Sequence, residues 1–388
     1  MNEKRLRPAG DQRSVEVVLL TSGHTALDHR IFSKQARSLA NRFSRVRVVG
    51  VHPRDETLEG IEVRALRPYR SRAERFLVCP LRCFLGARGV GPRVLILHDA
   101  ELLPWVPVTK LVTDWKVIYD VHEDFSNLLL RRTWLPRPLK RLVGRLGRVE
   151  KWLASRCDGV MAVTQTLVDG FDHPRRVAVY NLPSSGFIAA AAAASLERPE
   201  RDVDLVHLGT LSEERLLFLV DVIRRIAARR PETSALIIGL RPEQVDLVRR
   251  DLRGVDVETH GQLPYDAIPA MLARCRIGVN VHPILYPHLR CAVPVKVFEY
   301  MASGCSVVTS HLPELSRLLG DDAVEFVVTV LDPSPEPYAD EIARLLSDGD
   351  SLASRSGRVQ DLAARRWTWA TEERKLVEFV EAVVAEPA

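Results

Sequence analysis

The 388-residue sequence has six cysteines, at 79, 83, 157, 275, 291 and 305, and no C-x-x-C pair among them. No Cys/His group has zinc-ligand spacing, so a zinc module is not indicated. Scattered cysteines with no secretory leader point to a reducing cytosol. No apolar run reaches the roughly 18 residues that a membrane-spanning helix needs, which leaves only peripheral membrane contact. The first strand-like run, VEVVLLT (15–21), is not followed by G-x-G-x-x-G, which argues against a dinucleotide site. No D-x-D pair follows a strand in metal-ligand surroundings; GDD (320–322) and DGD (348–350) read as loop tips. The net charge of +5 comes without a long basic run, so nucleic acid is not called for.

What is present is ordinary soluble composition, 46% hydrophobic and 27% charged, at a length that suits two or three domains. Residues 1–14 are polar and charged and read as a loose tail. Buried-strand patterns follow at 15–21, 45–51, 60–66, 93–99, 116–122, 158–164 and 176–180, with amphipathic segments such as 30–43 between them. Continuous apolar strands alternating with helices imply a parallel sheet covered on both faces.

The pattern breaks at NLPSSGFIAAAAAASLERPER (181–201), which reads as an interdomain spacer with room for a short alanine helix. A second series then begins. Strands are expected at 203–209, 234–240, 255–261, 277–283 and 305–310, and helices at 212–230, 242–253, 265–274, 294–303 and 335–348. A last amphipathic helix fits 367–385. The expected class is therefore α/β, with two Rossmann-like domains facing across a cleft. The boundaries are a first domain at 15–183, a linker at 184–201, a second domain at 202–366 and a closing helix at 367–388. In open α/β sheets, ligands bind beyond the carboxyl ends of the strands.

The stretch PVKVFEYMASG (294–304) carries chemistry. Pro294 suits a helix start and Gly304 the position past its end. A helix start offers free amides and a positive dipole end, a ready anion site. Lys296 in the first turn is unfavourable for the helix alone but suits a bound phosphate. Glu299, about one turn on, can accept two ribose hydroxyls. A half-exposed surface helix carrying a Lys and a Glu is the other way to account for the same residues.

KVFEYMASGCSVVTS resembles the donor-binding motif of family 4 glycosyltransferases, retaining enzymes of the GT-B fold. HTALDHRIFSKQARSLA (24–40), LILHDAELLP (95–104), VIYDVHEDF (117–125), HLGTLSEER (207–215) and RWTWATEERKL (366–376) resemble further family segments in the same order. The resemblance implies a closing helix that crosses back to the first domain. It gives Glu299 to the nucleotide ribose and Lys296, with the backbone of Ala292, Val293 and Pro294, to the diphosphate. Gly209, Thr210 and Arg215 fall in the donor loop, with Arg215 as the basic phosphate contact. His98 matches a histidine beside the reacting carbon. His122 and Glu123, with His24, Asp28 and Arg30, fall on the acceptor side. Asp28 equally fits a helix N-cap. Two positions depart from the family pattern. Thr210 follows Gly209 where an arginine is common, and Cys291 stands eight places before Glu299 where many members carry an acid.

The sequence therefore reads as a metal-independent, cofactor-free, retaining hexosyltransferase. It takes a nucleoside-diphosphate sugar, a UDP- or GDP-sugar being expected, and a glycan, lipid-linked or small-molecule acceptor. An epimerase on the same fold, and a partner subunit with a decayed site, remain alternatives. In 131–156, leucines and valines recur at helical spacing among arginines and lysines. The segment 137–156 fits either a packed helix with a solvated basic face or adsorption to anionic lipid on the cytoplasmic side.

Overall fold

A computed structural model of the chain describes residues 15–71, 73–89, 93–124, 147–198, 200–284 and 286–385. They form two compact units, Met1–Asn181 with Glu372–Ala388, and Leu182–Thr371.

The first unit holds an eight-stranded sheet in the order β3-β4-β2-β1-β5-β6-β7-β8. Its strands are β1 (Glu16–Thr25), β2 (Arg45–Val51), β3 (Glu56–Leu58), β4 (Ile61–Leu66), β5 (Arg93–Leu97), β6 (Lys116–Val121), β7 (Gly159–Ala162) and β8 (Arg176–Ala178). All neighbours run parallel except β3 and β4, an antiparallel pair. Val17 to Leu20 and Leu95 to Leu97 are fully buried, as strands covered on both faces must be. The helix after β1 opens as a π-type stretch, His29–Ala36, and runs on as Arg37–Ala40.

The second unit holds a six-stranded, wholly parallel sheet in the order β11-β10-β9-β12-β13-β14. These strands are β9 (Val203–Leu208), β10 (Ser234–Ile238), β11 (Asp256–His260), β12 (Cys275–Asn280), β13 (Ser306–Ser310) and β14 (Val327–Val330). The helix Val295–Ala302 is fixed against this sheet by Tyr300. Its hydroxyl accepts from Leu208 N at 2.7 Å, and its ring lies where a Cβ on Gly278 would fall within 2.3 Å.

Two expectations change. The stretch 184–201 holds the short alanine helix that the sequence left room for, but as part of the second unit and not as a linker. Ser184 caps a helix, Ser185–Glu197, whose Phe187 and Ala191 are buried within the second unit. Six alanines carry high helix propensity, and two apolar anchors suffice to dock them. DGD (348–350) is not a loop tip, because Asp348 accepts from Ser351 N and starts the helix Gly349–Arg366. The closing helix is Trp369–Val384, and it joins the first unit from Glu372 onward. There the Glu372 carboxylate accepts from Tyr180 N at 2.9 Å, and Arg42 pairs with Glu381.

The two glycines Gly278 and Gly357 predict opposite outcomes. Gly278→Ala overpacks Tyr300 and is expected to cost about 1–3 kcal/mol. Gly357 sits inside the helix Gly349–Arg366 with nothing within 4 Å of an added Cβ, so Gly357→Ala is expected to gain about 0.5–1 kcal/mol. Urea unfolding of the two variants checks both signs.

Candidate functional site

In the first unit, the carboxyl ends of β1, β5 and β6 bring three histidines and two aspartates together. Asp120, on β6, is fully buried. Arg30 forks onto it, Nη2 to Oδ1 at 3.1 Å and Nε to Oδ2 at 3.3 Å, and the Gln35 amide donates to Oδ2 at 2.6 Å. The π-type turn of His29–Ala36 presents both residues to this carboxylate. His122 Nε2 lies 3.1 Å from Asp120 Oδ2 and 3.1 Å from His98 Nδ1. Burial alone would raise the Asp120 pKa, but Arg30 and the histidine contacts hold it well below the carboxylate range. Burial holds the His98 imidazole below its ordinary value, so it is neutral at pH 7.

Beside this group, Asp99 accepts from Thr21 Oγ1 at 2.7 Å, Ser22 N at 2.9 Å and Gly23 N at 3.2 Å. Burial opposes ionisation here too, but His24 and these three donors keep the Asp99 pKa lowered. His24 Nε2 stands 3.8 Å from Asp99 Oδ1, and its ring is 5.4 Å from that of His122.

The expected residues fare differently. His24 and His122 are the reachable imidazoles, with side chains 40% and 17% exposed. His98 has no exposed side-chain surface, and its Nε2 is buried without a hydrogen-bond partner among the described residues. Arg30, expected on the acceptor side, is instead buried and committed to Asp120 and to Val179 O. Asp28 is the helix cap, its Oδ1 accepting from Arg30 N at 2.9 Å and Ile31 N at 3.2 Å. Glu123 is exposed. Asp120, Asp99 and Gln35 were not singled out in the sequence, because each reads there as part of a strand end or a helix face.

His98, Asp120 and His122 also place one ligand atom each within 4.8 Å of one another. The donor set suits a hydrogen-bonded network better than a metal. A cation there would meet the Arg30 guanidinium, which already engages both oxygens of its carboxylate ligand.

In the second unit, the carboxyl ends of β9 and β12 and the start of Val295–Ala302 gather positive charge. Lys296 Nζ lies 3.5 Å from His207 Nε2, and His207 Nδ1 donates to Val279 O at 2.9 Å. Arg215 Nε donates to Val281 O at 2.8 Å, while its Nη2 is buried and has no hydrogen-bond partner among the described residues. Burial, then the Arg215 charge, lower the Lys296 pKa to about 7. Burial and the same two cations push His282 down to about 3 and His207 well below its ordinary value. Gly209, at φ +100°, leaves room for Lys296, whose Nζ would lie 3.2 Å from an added Cβ. Thr210 is exposed.

Three backbone positions were expected to face an anion, but they are not equivalent. Ala292 N already donates to Leu289 O at 3.1 Å, and Pro294, at the helix cap, has no N–H, which leaves Val293. Glu299 is 3% exposed, and its Oε1 accepts from the Tyr265 hydroxyl at 2.7 Å. The Tyr265 ring packs on Phe187 of the alanine helix at 5.3 Å. Neither aromatic was anticipated. Tyr265 is 34 positions from Glu299, and no local pattern signals such a contact.

Of the basic amphipathic segment 137–156, residues 137–146 lie outside the described residues; in the remainder, Leu153 is buried while Arg148, Lys151 and Trp152 are exposed.

Asp120→Asn is expected to cost about 3–5 kcal/mol, because it leaves the Arg30 charge buried without its partner. The folded-state pKa of Asp120 is depressed, so its contribution is complete above the unfolded value near 4 and is lost as pH falls toward the folded one. The stability gap between wild type and variant, measured by urea unfolding, should therefore narrow below about pH 4.

Residues 202–348 match the family model described as glycosyl transferases group 1. A search of curated proteins gives no match. Among solved structures, the chain is similar to sucrose-phosphate synthase from Thermosynechococcus elongatus, at 16% identity and a TM-score of 0.74, covering 96% of this chain and 100% of that one. It is similar to Anabaena HepE in complex with UDP and glucose, at 14% identity and a TM-score of 0.66, covering 95% and 99%. It is also similar to the catalytic domain of starch synthase IV from Arabidopsis thaliana bound to ADP and acarbose, at 12% identity and a TM-score of 0.63, covering 97% and 100%. At these identities the likeness is one of fold, and it runs through both units. The chain is a glycosyltransferase of the GT-B fold whose residues 202–348 form a group 1 glycosyl transferase domain.

Proposed function

We propose that this glycosyltransferase moves a hexosyl group from a nucleoside-diphosphate sugar to an acceptor hydroxyl, with retention of configuration and without a metal. The observation that carries the reading is the pair of half-buried cations, Lys296 in the first turn of a helix that bears Glu299 one turn on, and Arg215, whose charge lowers the Lys296 pKa. A diphosphate supplies the negative charge this place is short of, and the ribose hydroxyls meet the carboxylate. UDP is the first nucleotide to try, since HepE is seen in complex with UDP and glucose, and a similar E. coli structure is bound with UDP-2-fluoro glucose. The acceptor is a hydroxyl of a glycan, a lipid-linked precursor or a small metabolite.

The division of labour reflects the two charge patterns. Arg215, Lys296 and the helix start stabilise the departing diphosphate, the role a metal fills elsewhere. In the first unit, Asp120 fixes the buried, neutral His98 imidazole through Nδ1, and His98 in turn supports the reachable His122 beside it. His122 and His24, the more exposed rings, receive the acceptor.

Thermal shift with UDP, GDP, ADP and dTDP identifies the base. Glu299→Gln should weaken the preferred nucleotide by about 10–100-fold, the loss of a charge-assisted hydrogen bond or two. Unchanged affinity would remove the ribose assignment. The anomeric coupling of the product by NMR, and activity in excess EDTA, test retention and metal independence.

Lys296 gives a separate test. Its pKa is lowered in the folded protein, so between about pH 7 and the unfolded value near 10.5 the unfolded chain binds more protons and stability rises with pH. A diphosphate placed beside it returns the pKa toward the ordinary range. Binding of UDP at pH 8 should thus take up close to one proton, read by calorimetry in buffers of different ionisation enthalpy. Lys296→Met should abolish the uptake; uptake that persists in the variant assigns the proton elsewhere.

A further inference from the structure

The crossover segments after β4, β5 and β6 all step the same way along the first sheet. Right-handed crossovers that step the same way cover the same face. These segments, 74–86, 100–112 and 147–156, therefore lie side by side on one face of the sheet. The helix 29–40, whose crossover steps the other way, lies on the opposite face.

The outer surface of the first three segments is apolar where solvent-facing helices are usually charged. Leu77, Leu81 and Leu85 are 72%, 41% and 43% exposed, and their spacing of four makes one stripe. Beneath them Cys79 and Cys83 are buried, so the helix packs on the sheet with its other side. On the neighbouring segments Leu111, Val112 and Trp152 are 86%, 70% and 54% exposed. Single exposed apolar residues are normal, but a stripe continued across three adjacent segments marks an interaction surface.

The charge around this surface has one dominant sign. Arg88, Arg148, Lys151 and Arg156 are exposed, against Asp114. The other acids of these segments are engaged within the unit: Glu74 with Arg67 and Arg82, Glu101 with Arg75, and Glu150 with the Tyr119 hydroxyl. The Arg156 guanidinium lies over the Trp152 ring at 4.8 Å, so aromatic and cation are presented together.

We infer that this face of the first unit docks on an anionic lipid surface. Leucine side chains and a tryptophan enter the interfacial region, and the flanking guanidinium and ammonium groups meet the head groups. Among the described residues no helix is long and apolar enough to cross a membrane, so the attachment is superficial. A second copy of the chain is a poorer occupant. A two-fold contact would set this same cationic rim against itself. Docking here is independent of how the second unit holds its nucleotide, so it stands or falls separately from the donor assignments.

Sedimentation of the full chain with vesicles tests it. Binding is expected to phosphatidylcholine mixed with phosphatidylglycerol at low ionic strength, and to weaken as salt is raised. Vesicles of phosphatidylcholine alone should bind at least about tenfold less. The double variant Leu77→Glu/Leu111→Glu changes only exposed positions, and it should lose about tenfold or more in binding to the mixed vesicles while keeping the wild-type nucleotide affinity. Arg148→Glu/Lys151→Glu should remove the preference for anionic lipid. Equal binding by wild type and the leucine variant, or no binding to the mixed vesicles, overturns the inference. So does concentration-dependent self-association in the absence of lipid that the leucine variant abolishes, because the occupant is then a second copy.

Discussion

The buried ion pair between Arg30 and Asp120 organises the first unit. An aspartate with no solvent contact stays ionised only if its surroundings supply a cation and enough donors, and here a fork from Arg30 and the Gln35 amide do so. Both donors come from one π-type helical stretch, so the wide turn is what lets two residues of that helix reach one carboxylate. With its charge balanced, Asp120 orients His98 and His122 rather than attracting an ion. The second unit shows the opposite balance. Burial and the Arg215 charge lower the Lys296 pKa, and burial with both cations lowers that of His282. One set of strand ends is neutralised from within the chain, and the other is left positive. That difference sets a hydrogen-bonded imidazole cluster apart from a site suited to an anion.

Most of the fold was legible because parallel strands covered on both faces read as unbroken apolar runs. The strands around Val17–Leu20, Val46–Val49 and Leu236–Ile238 could not be mistaken. What escaped was weakly patterned. The helix Gly349–Arg366 buries only Leu352, Val359 and Ala363 along its length, and it carries Gly357 at its middle. Its apolar positions are too sparse to show a period. The strand Val327–Val330 is short and sits at the sheet edge, beside β13. The helix Ser185–Glu197 is legible as a helix but not as part of the second unit. Six alanines give strong helix propensity but no amphipathic signal, and its two buried anchors, Phe187 and Ala191, show only in the fold.

The site divides along the same line. Lys296 and Glu299 lie within one turn of a single helix, so their relation is local and a sequence can display it. Asp120 takes its guanidinium and amide donors from 85 to 90 positions away, and Asp99 takes its hydroxyl and backbone donors from 76 to 78 away. Such contacts arise only when the sheet is assembled, and β6, where Asp120 lies, reads in sequence as one more apolar strand.

At the proposed nucleotide end of the site, Tyr265 and Phe187 make Glu299 depend on assembly as well. A carboxylate only 3% exposed is costly unless hydrogen-bonded, and the Tyr265 hydroxyl supplies one such bond. That hydroxyl is in turn placed by a ring packed on Phe187, whose amide is held by the Ser184 cap. The geometry of Glu299 therefore depends on a helix that carries no polar chemistry of its own. The order of dependence runs from the cap, through the aromatic pair, to the carboxylate. A substitution anywhere along it disturbs the carboxylate first, and reaches Lys296 through the Glu299 charge, which raises the Lys296 pKa. The ribose end and the phosphate end of the proposed site thus rest on different contacts within the same unit, and the Glu299 charge links them by holding up the Lys296 pKa.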